Sequence, residues 1–340
     1  MKMTMRRRAF IPVLAASSLA FSLAACGGDE ADEVIGTGAS FPDAYYQAAI
    51  AEFNDDHDFD VTYDAVGSGT GKSDFGEGLN DFAGTDSLVG DGDGPEDGSY
   101  QYIPTVAAPI TIPFNLEGVE ELNLGQETLA KIFQGDITSW SHDEIAAANE
   151  GVELPETDIT IAHRSDGSGT TGNFTRFLDE ATESWTLGAG DTAEWPSNAV
   201  GGDKNTGVAQ VVQDTDGAIG YVDYADATEL GLTTANVENK DGNFVAPTLE
   251  GTTAGLDGAE VNDDLSFNPL NAAGEDAYPI TAPTYLLLHT DQDGDKADQV
   301  KEFVTWLLTD GQQYAEENGY AALPDGLAEQ ALTAVEDTLG

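Results

Sequence analysis

Apolar positions along the chain switch period repeatedly, between runs that alternate and faces spaced three and four apart. Val34-Ile35 is a short apolar strand, and the helix predicted after it carries Tyr46, Ile50 and Phe53 on one face. Val61, Tyr63 and Ala65 alternate, the period of a strand with one buried face. Residues 103–116 are rich in β-branched side chains and proline and read as a crossing between domains. Residues 129–133 have the spacing of a helical turn, Ile159 and Ile161 mark another strand, and Phe174, Phe177 and Leu178 form the face of the helix after it. Residues 218–222 and 284–288 read as buried strands, and residues 300–314 as an amphipathic helix through Phe303, Leu307 and Tyr314. This alternation predicts an α/β fold with sheets flanked by helices.

Three of the predicted strands run into loops of one design: Gly38-Ala39-Ser40-Phe41, Gly67-Ser68-Gly69-Thr70 and Asp166-Gly167-Ser168-Gly169-Thr170. In each, glycine lets the backbone come close to a ligand and the hydroxyls add donors. The helix start leaves N–H groups free, and its dipole favours an anion. Ser40 with Asp43 three residues on also fits a capping box, and Pro42 suits a first helical turn, so one such loop need be no more than a helix start. Three of them, with Arg164 at the head of the third, point to an oxyanion, which the planar guanidinium suits. Asp166, two residues on, is placed to hold that guanidinium, whereas Asp86 is by composition one carboxylate among many.

Charge narrows the partners. Acidic residues number 63 against 12 basic in 340, for a net charge of −51. That excludes non-specific nucleic-acid binding and docking on anionic lipid, while an apolar fraction of 40% is enough for packed cores. Lys2, Arg6, Arg7 and Arg8 precede an uncharged run that ends at Ala25-Cys26, the form of a signal peptide over residues 1–25. The cysteine at the cut resembles the lipobox of exported lipoproteins, with residues 26–33 as a polar tether and Cys26 as the lipid acceptor. Beyond the leader eight basic residues face 63 acidic ones, a net of −55, and the only arginines are Arg164 and Arg176. One cysteine and four scattered histidines exclude a disulfide framework and argue against zinc. The acidic stretches 90–98 and 291–295 lack EF-hand spacing, so no metal and no other cofactor is expected.

Taken together, Gly38-Ala39-Ser40-Phe41-Pro42, Gly67-Ser68-Gly69-Thr70-Gly71, Asp81-Phe82-Ala83-Gly84-Thr85-Asp86 and Arg164-Ser165-Asp166-Gly167-Ser168-Gly169-Thr170 resemble, in order and spacing, the phosphate-binding proteins of phosphate-specific ABC importers. The resemblance extends through Ile132-Phe133-Gln134-Gly135-Asp136-Ile137, Gly217-Ala218-Ile219-Gly220-Tyr221 and Tyr320-Ala321-Ala322-Leu323-Pro324. It implies a two-lobed periplasmic-binding-protein fold of type II, each lobe a mixed sheet flanked by helices, with the ligand in the cleft. Crossings near Thr105 and Thr281 would give one lobe from residues 34–105 and 282–340 and the other from 106–281. Carried over, Ser40 and Ser68 donate hydroxyls, Phe41 donates its backbone N–H, and Asp86 accepts the phosphate proton. Arg164 pairs with the anion and is held by Asp166, while Ser168, Gly169 and Thr170 close the cradle. The implied role is extracytoplasmic capture of inorganic phosphate by a lipid-anchored monomer and its delivery to permease subunits, without catalysis.

Three other functions compete with this one. Gly71-Lys72-Ser73 looks like the end of a P-loop, but the required glycine five residues earlier is Val66. A phosphate-ester hydrolase would use Ser68 or Ser168 as nucleophile, with His163 the nearest base in sequence; strand alternation turns His163 away from Arg164. A binder of another oxyanion, such as sulfate, molybdate or a phosphonate, would need the same kind of loops.

Overall fold

The computed structural model describes residues 33–90, 94–257 and 259–340. The leader, Cys26 and the tether as far as residue 32 lie outside the described residues; Glu33, expected as the last tether residue, is the first residue of a strand.

The first sheet grows from the N-terminal third. Strand β1 (Glu33–Gly38) leads to helix α1 (Asp43–Asp56), which buries Tyr45, Tyr46, Ala49, Ile50 and Phe53, the periodicity legible in the sequence. Strand β2 (Asp60–Asp64) buries Val61 and Tyr63 and leads to helix α2 (Ser68–Gly76). Strands β3 (Phe82–Thr85) and β4 (Tyr100–Thr111) follow. β1 lies between β2 and β3, parallel to both. The strand Thr281–His289 returns from far down the chain and inserts antiparallel between β3 and β4, pairing Leu286 with Gly84 and Thr281 with Pro109. Val222–Asp223 and Ala321–Ala322 also pair with β4, completing seven strands.

A second sheet has five strands in the order Thr233–Thr234, Pro113–Phe114, Ala218–Ile219, Thr160–Arg164, Val200–Gly202. Thr160–Arg164 runs parallel to both its neighbours. Edge-on aromatic contacts fill both cores: Tyr46 on Tyr63 at 5.0 Å beneath the first sheet, and Phe133 on Phe174 at 4.7 Å beneath the second. Each such buried ring stabilises by about 1.5–3 kcal/mol.

Thr105 lies in the middle of β4 with its hydroxyl 2.8 Å from that of Tyr46, and the chain changes sheets between Thr111 and Pro113. The single strand expected over 218–222 is two pieces in different sheets, Ala218–Ile219 in the second and Val222–Asp223 on β4. Gly220 turns the chain between them, where a Cβ would sit 2.9 Å from Val212. The helix expected over 300–314 runs over Gly294–Leu308; Thr309, at φ −116° and ψ −93°, ends it, and Asp310–Tyr314 is a 3-10 turn.

This topology positions the loops. β1, β2, β3 and Thr160–Arg164 are all parallel strands, and each releases its chain from its carboxyl end, where open α/β sheets bind ligands.

Candidate functional site

Gly67 sets the geometry of the second loop. Its φ of 96° belongs to the left-handed region that glycine tolerates, and its N–H donates to the Gly38 carbonyl at 2.7 Å, tying the first loop to the second. A Cβ at Gly67 would lie 2.6 Å from the Asp166 carboxylate and 3.7 Å from the Arg164 guanidinium. The third loop therefore closes directly over the start of α2, and Gly69 donates its N–H to the Gly167 carbonyl at 3.1 Å.

Asp86 follows β3 and is buried. Thr284 donates its hydroxyl to Oδ1 at 2.8 Å, and Ser68 donates weakly to Oδ2 at 3.4 Å while accepting the Asp86 N–H at 3.3 Å. Burial pushes the Asp86 carboxyl up to about 7, against the opposing pull of Thr284, Arg164 and Ser68 and with added push from the Asp191 charge. This carboxyl sits close to neutrality, unlike a surface aspartate.

Arg164 is the last residue of its strand and is buried. Its Nε donates to Asp166 Oδ1 at 2.8 Å, one terminal nitrogen donates to Asp166 Oδ2, and the other donates to Asn205 Oδ1 at 2.8 Å. Three of its five N–H groups are thus used, leaving one on each terminal nitrogen for a ligand. Burial raises the Asp166 carboxyl, but the Arg164 hydrogen bonds and charge outweigh it and hold the group below the usual carboxylate range.

Ser168 caps the helix Gly169–Ala181, accepting the Thr171 N–H at 3.2 Å, so its own hydroxyl proton remains to be donated. Asn205 Nδ2 donates to Thr170 Oγ1 at 3.2 Å, which likewise leaves the Thr170 hydroxyl as a donor. A Cβ on Gly169 would come within 2.6 Å of Ser68 Oγ and 2.8 Å of Asp86 Cβ. Ser68, Asp86, Arg164, Asp166, Ser168, Gly169 and Thr170 therefore meet at one place, joined by Asn173 Nδ2 donating to the Asp86 carbonyl at 2.6 Å.

Ser40 behaves differently from the expected capping box. Its carbonyl, not its side chain, accepts the Asp43 N–H at 3.4 Å, and Oγ is buried with no partner among the described residues. Ser40 lines a cavity of about 160 Å³ together with Lys204, Asp223 and Tyr320. Phe41 is buried beside it, and its carbonyl accepts the Tyr320 hydroxyl. A wider hollow of about 760 Å³, between Gln101, Leu265 and Glu329, lies away from these loops.

Several groups at the site escape sequence reasoning. Thr284 reads as part of an apolar strand, and Asn205 carries no motif. Tyr221, in a segment that resembles the family but has no assigned role, takes the Arg164 N–H at 3.1 Å. Lys72 is no phosphate-loop lysine: it is buried in α2 and pairs with Asp191 at 2.9 Å. His163 stacks on Trp195 and sets Nδ1 2.8 Å from the Arg164 carbonyl, facing away from the hydroxyls.

A model of the PBP superfamily domain matches residues 24–311. Phosphate-binding protein PstS of Methanocaldococcus jannaschii is 34% identical over 334 residues, covering 88% of this chain and 84% of that protein. Phosphate-binding protein PstS of Xylella fastidiosa strain 9a5c is also 34% identical, over 305 residues, covering 88% of this chain and 83% of that one. A high-affinity periplasmic phosphate-binding protein solved with phosphate superposes at a TM-score of 0.71 with 25% identity, covering 88% of this chain and 93% of the other.

Proposed function

The chain belongs to the phosphate-binding proteins of the PBP superfamily, and from that premise we propose that it captures inorganic phosphate outside the cytoplasm and hands it to an ABC-type importer. The observation that carries this reading is the union of a buried carboxylate with a ring of donors. Asp86 lies among the hydroxyls of Ser68 and Thr284 and within the field of Arg164. Phosphate at neutral pH presents bare oxygens and at least one proton. The bare oxygens take the two remaining Arg164 N–H groups, the Ser40, Ser168 and Thr170 hydroxyls, the N–H groups of Phe41 and Gly169, and the Ser68 hydroxyl, which gives up its weak bond to Asp86. The proton is donated to Asp86. Charge-assisted bonds of this kind contribute about 1.5–3 kcal/mol each.

On this reading the lobes hinge at Ile112, where the chain leaves the first sheet for the second, and at Ile280, where it re-enters the first sheet as Thr281–His289; Val222–Asp223, between the two, reaches across to pair with β4. Residues 33–111 and 281–340 form one lobe, and the second sheet with its helices forms the other. The Ser40 hydroxyl, unpartnered at the edge of the cleft, is then completed by the ligand. As a transport receptor the chain carries out no covalent step on phosphate. It works as a monomer held to the outer face of the membrane by a lipid on Cys26. Fatty-acid labelling that marks the wild type and Cys26→Ala alike would remove the anchor from this picture.

Calorimetry of the phosphate-stripped chain tests the central claim. One site should take phosphate tightly and arsenate comparably, since arsenate shares its shape and protonation, with sulfate far weaker. No heat with phosphate overturns the reading, and steady release of phosphate from a phosphate monoester would replace it with a hydrolase.

A further inference from the structure

Lys72 is one of only eight basic residues beyond the leader, and it is buried in α2. An ammonium taken out of water costs several kcal/mol unless it is paired and hydrogen-bonded. On its own side of the cleft Lys72 Nζ donates to Ser87 Oγ at 3.1 Å and to the Leu88 carbonyl at 3.3 Å, in the loop that begins with Asp86. On the other side it meets Asp191 Oδ2 at 2.9 Å, and Ser87 donates its hydroxyl to the same oxygen at 2.8 Å. Among the described residues this is the ion pair that joins the two sides.

The Asp191 loop is tied to the cradle. Its carbonyl accepts the Ser168 N–H at 3.0 Å, and its side chain lies against Gly172, where a Cβ would be 2.5 Å from Oδ1. The pair thus connects the loop of Asp86 to the helix start that carries Ser168 and Gly169. When the sides separate, the contact between Lys72 and Asp191 is lost.

We propose that Lys72 and Asp191 form a latch across the cleft, a pair that touches no ligand atom and holds the lobes shut around one. The latch rests on the phosphate-receptor reading above. Lys72 is a positioning residue: it favours the shut state, so it governs how long phosphate stays more than how fast it arrives.

The test is stopped-flow release of phosphate, with calorimetry, on the full chain and on Lys72→Met, Asp191→Asn and Lys240→Met. The last removes the same charge from an exposed site. Lys72→Met and Asp191→Asn should each release phosphate at least roughly 10-fold faster, with association changed less than about 3-fold. Lys240→Met should behave as the wild type, and Lys72→Met and Asp191→Asn should lower the melting temperature more with phosphate bound than without it. The double variant Lys72→Met/Asp191→Asn should lose less than the two single losses combined, because either substitution alone already removes the contact between the two residues. Wild-type release rates in both single variants overturn the latch while leaving phosphate binding intact. Equal loss of melting temperature with and without phosphate overturns it too, since the pair would then hold the fold and not the closure. Should one variant fail to fold, the other, placed in the opposite lobe, decides. A wild-type chain that binds no phosphate removes the receptor reading itself, and the latch with it.

Discussion

Arg164 meets Asp166 edge to edge, with Nε donating to Oδ1 at 2.8 Å and a terminal nitrogen donating to Oδ2. Two parallel bonds fix the plane of the guanidinium as well as its position. The Lys204 N–H donates to the same carboxylate at 3.3 Å, so Asp166 is held in turn by the backbone. The orientation of Arg164 is therefore set by the protein's own groups.

Arg164→Ala should weaken phosphate binding by roughly 10-fold to more than 100-fold, the loss of one or two charge-assisted bonds. Arg176→Ala removes the same charge from the helix that follows and should leave affinity within about 2-fold, because Arg176 lies beyond the first turn of Gly169–Ala181, where N–H groups are free. Asp166→Asn should fall between the two, since it loosens the guanidinium without removing it. Isothermal titration at one ionic strength separates the three. Equal losses for both arginines would mean a diffuse field and no site.

Gly169 gives a steric test. An added methyl would sit 2.6 Å from Ser68 Oγ and 2.8 Å from Asp86 Cβ, inside contact distance, so Gly169→Ala should keep the lobes from meeting. Gly169 is the first residue of its helix and its φ is not in the left-handed region, so alanine fits the backbone there and the ligand-free fold should not suffer. Phosphate affinity should drop at least roughly 10-fold while the phosphate-free melting temperature holds or rises. Unchanged affinity would show that the loops do not close on each other in solution.

The features most legible in the sequence were those carried by short local patterns. Helix α1 shows its buried face as Tyr46, Ile50 and Phe53, and the three loops announce themselves by glycine and hydroxyl content. What escaped depends on partners far away in the chain. Asp191 lies 119 residues from Lys72, and Thr284 lies 198 from Asp86, so no local pattern links them. The apolar run at 218–222 shows that the segment is buried but not that two sheets share it. Ser40 fits a capping box by spacing, yet its carbonyl takes the Asp43 N–H and frees the hydroxyl.

The charge excess predicts a dependence on salt. At a net −55 beyond the leader the folded chain repels itself, and ion pairs such as Lys301 with Glu336 offset little of that. Repulsion reaches about 10 Å at 0.1 M salt but only about 3 Å at 1 M. Melting temperature should therefore climb substantially from dilute buffer to molar NaCl, in line with a salty natural setting. A flat profile, measured on phosphate-free protein so that ligand does not mask it, would contradict this.

Asp86 makes selectivity depend on pH. Its carboxyl lies at about 7 in the folded chain against an ordinary 3.8. Folding therefore takes up a proton between those values, a stabilisation that is full below the lower one and lost as pH rises through the upper. Asp86→Asn should accordingly raise the melting temperature of phosphate-free protein more at pH 8 than at pH 5. The same titration governs which anion is accepted. Above pH 7 the bare carboxylate can take the phosphate proton but meets only lone pairs on sulfate, a mismatch that can reach about 10⁴-fold in a dry site. Below pH 7 the protonated carboxyl can donate to sulfate, so wild-type sulfate affinity should climb as pH falls from 8.5 to 5.5, by at most roughly 10-fold per unit. Asp86→Asn, able to donate at every pH, should bind sulfate without that slope and show a narrower gap between the two anions at pH 8. Paired titrations of both proteins with both anions at constant ionic strength read all of this at once. A wild-type sulfate affinity flat with pH, together with full discrimination in the variant, would move the gatekeeping from Asp86 to Asp166 or to the size of the cleft.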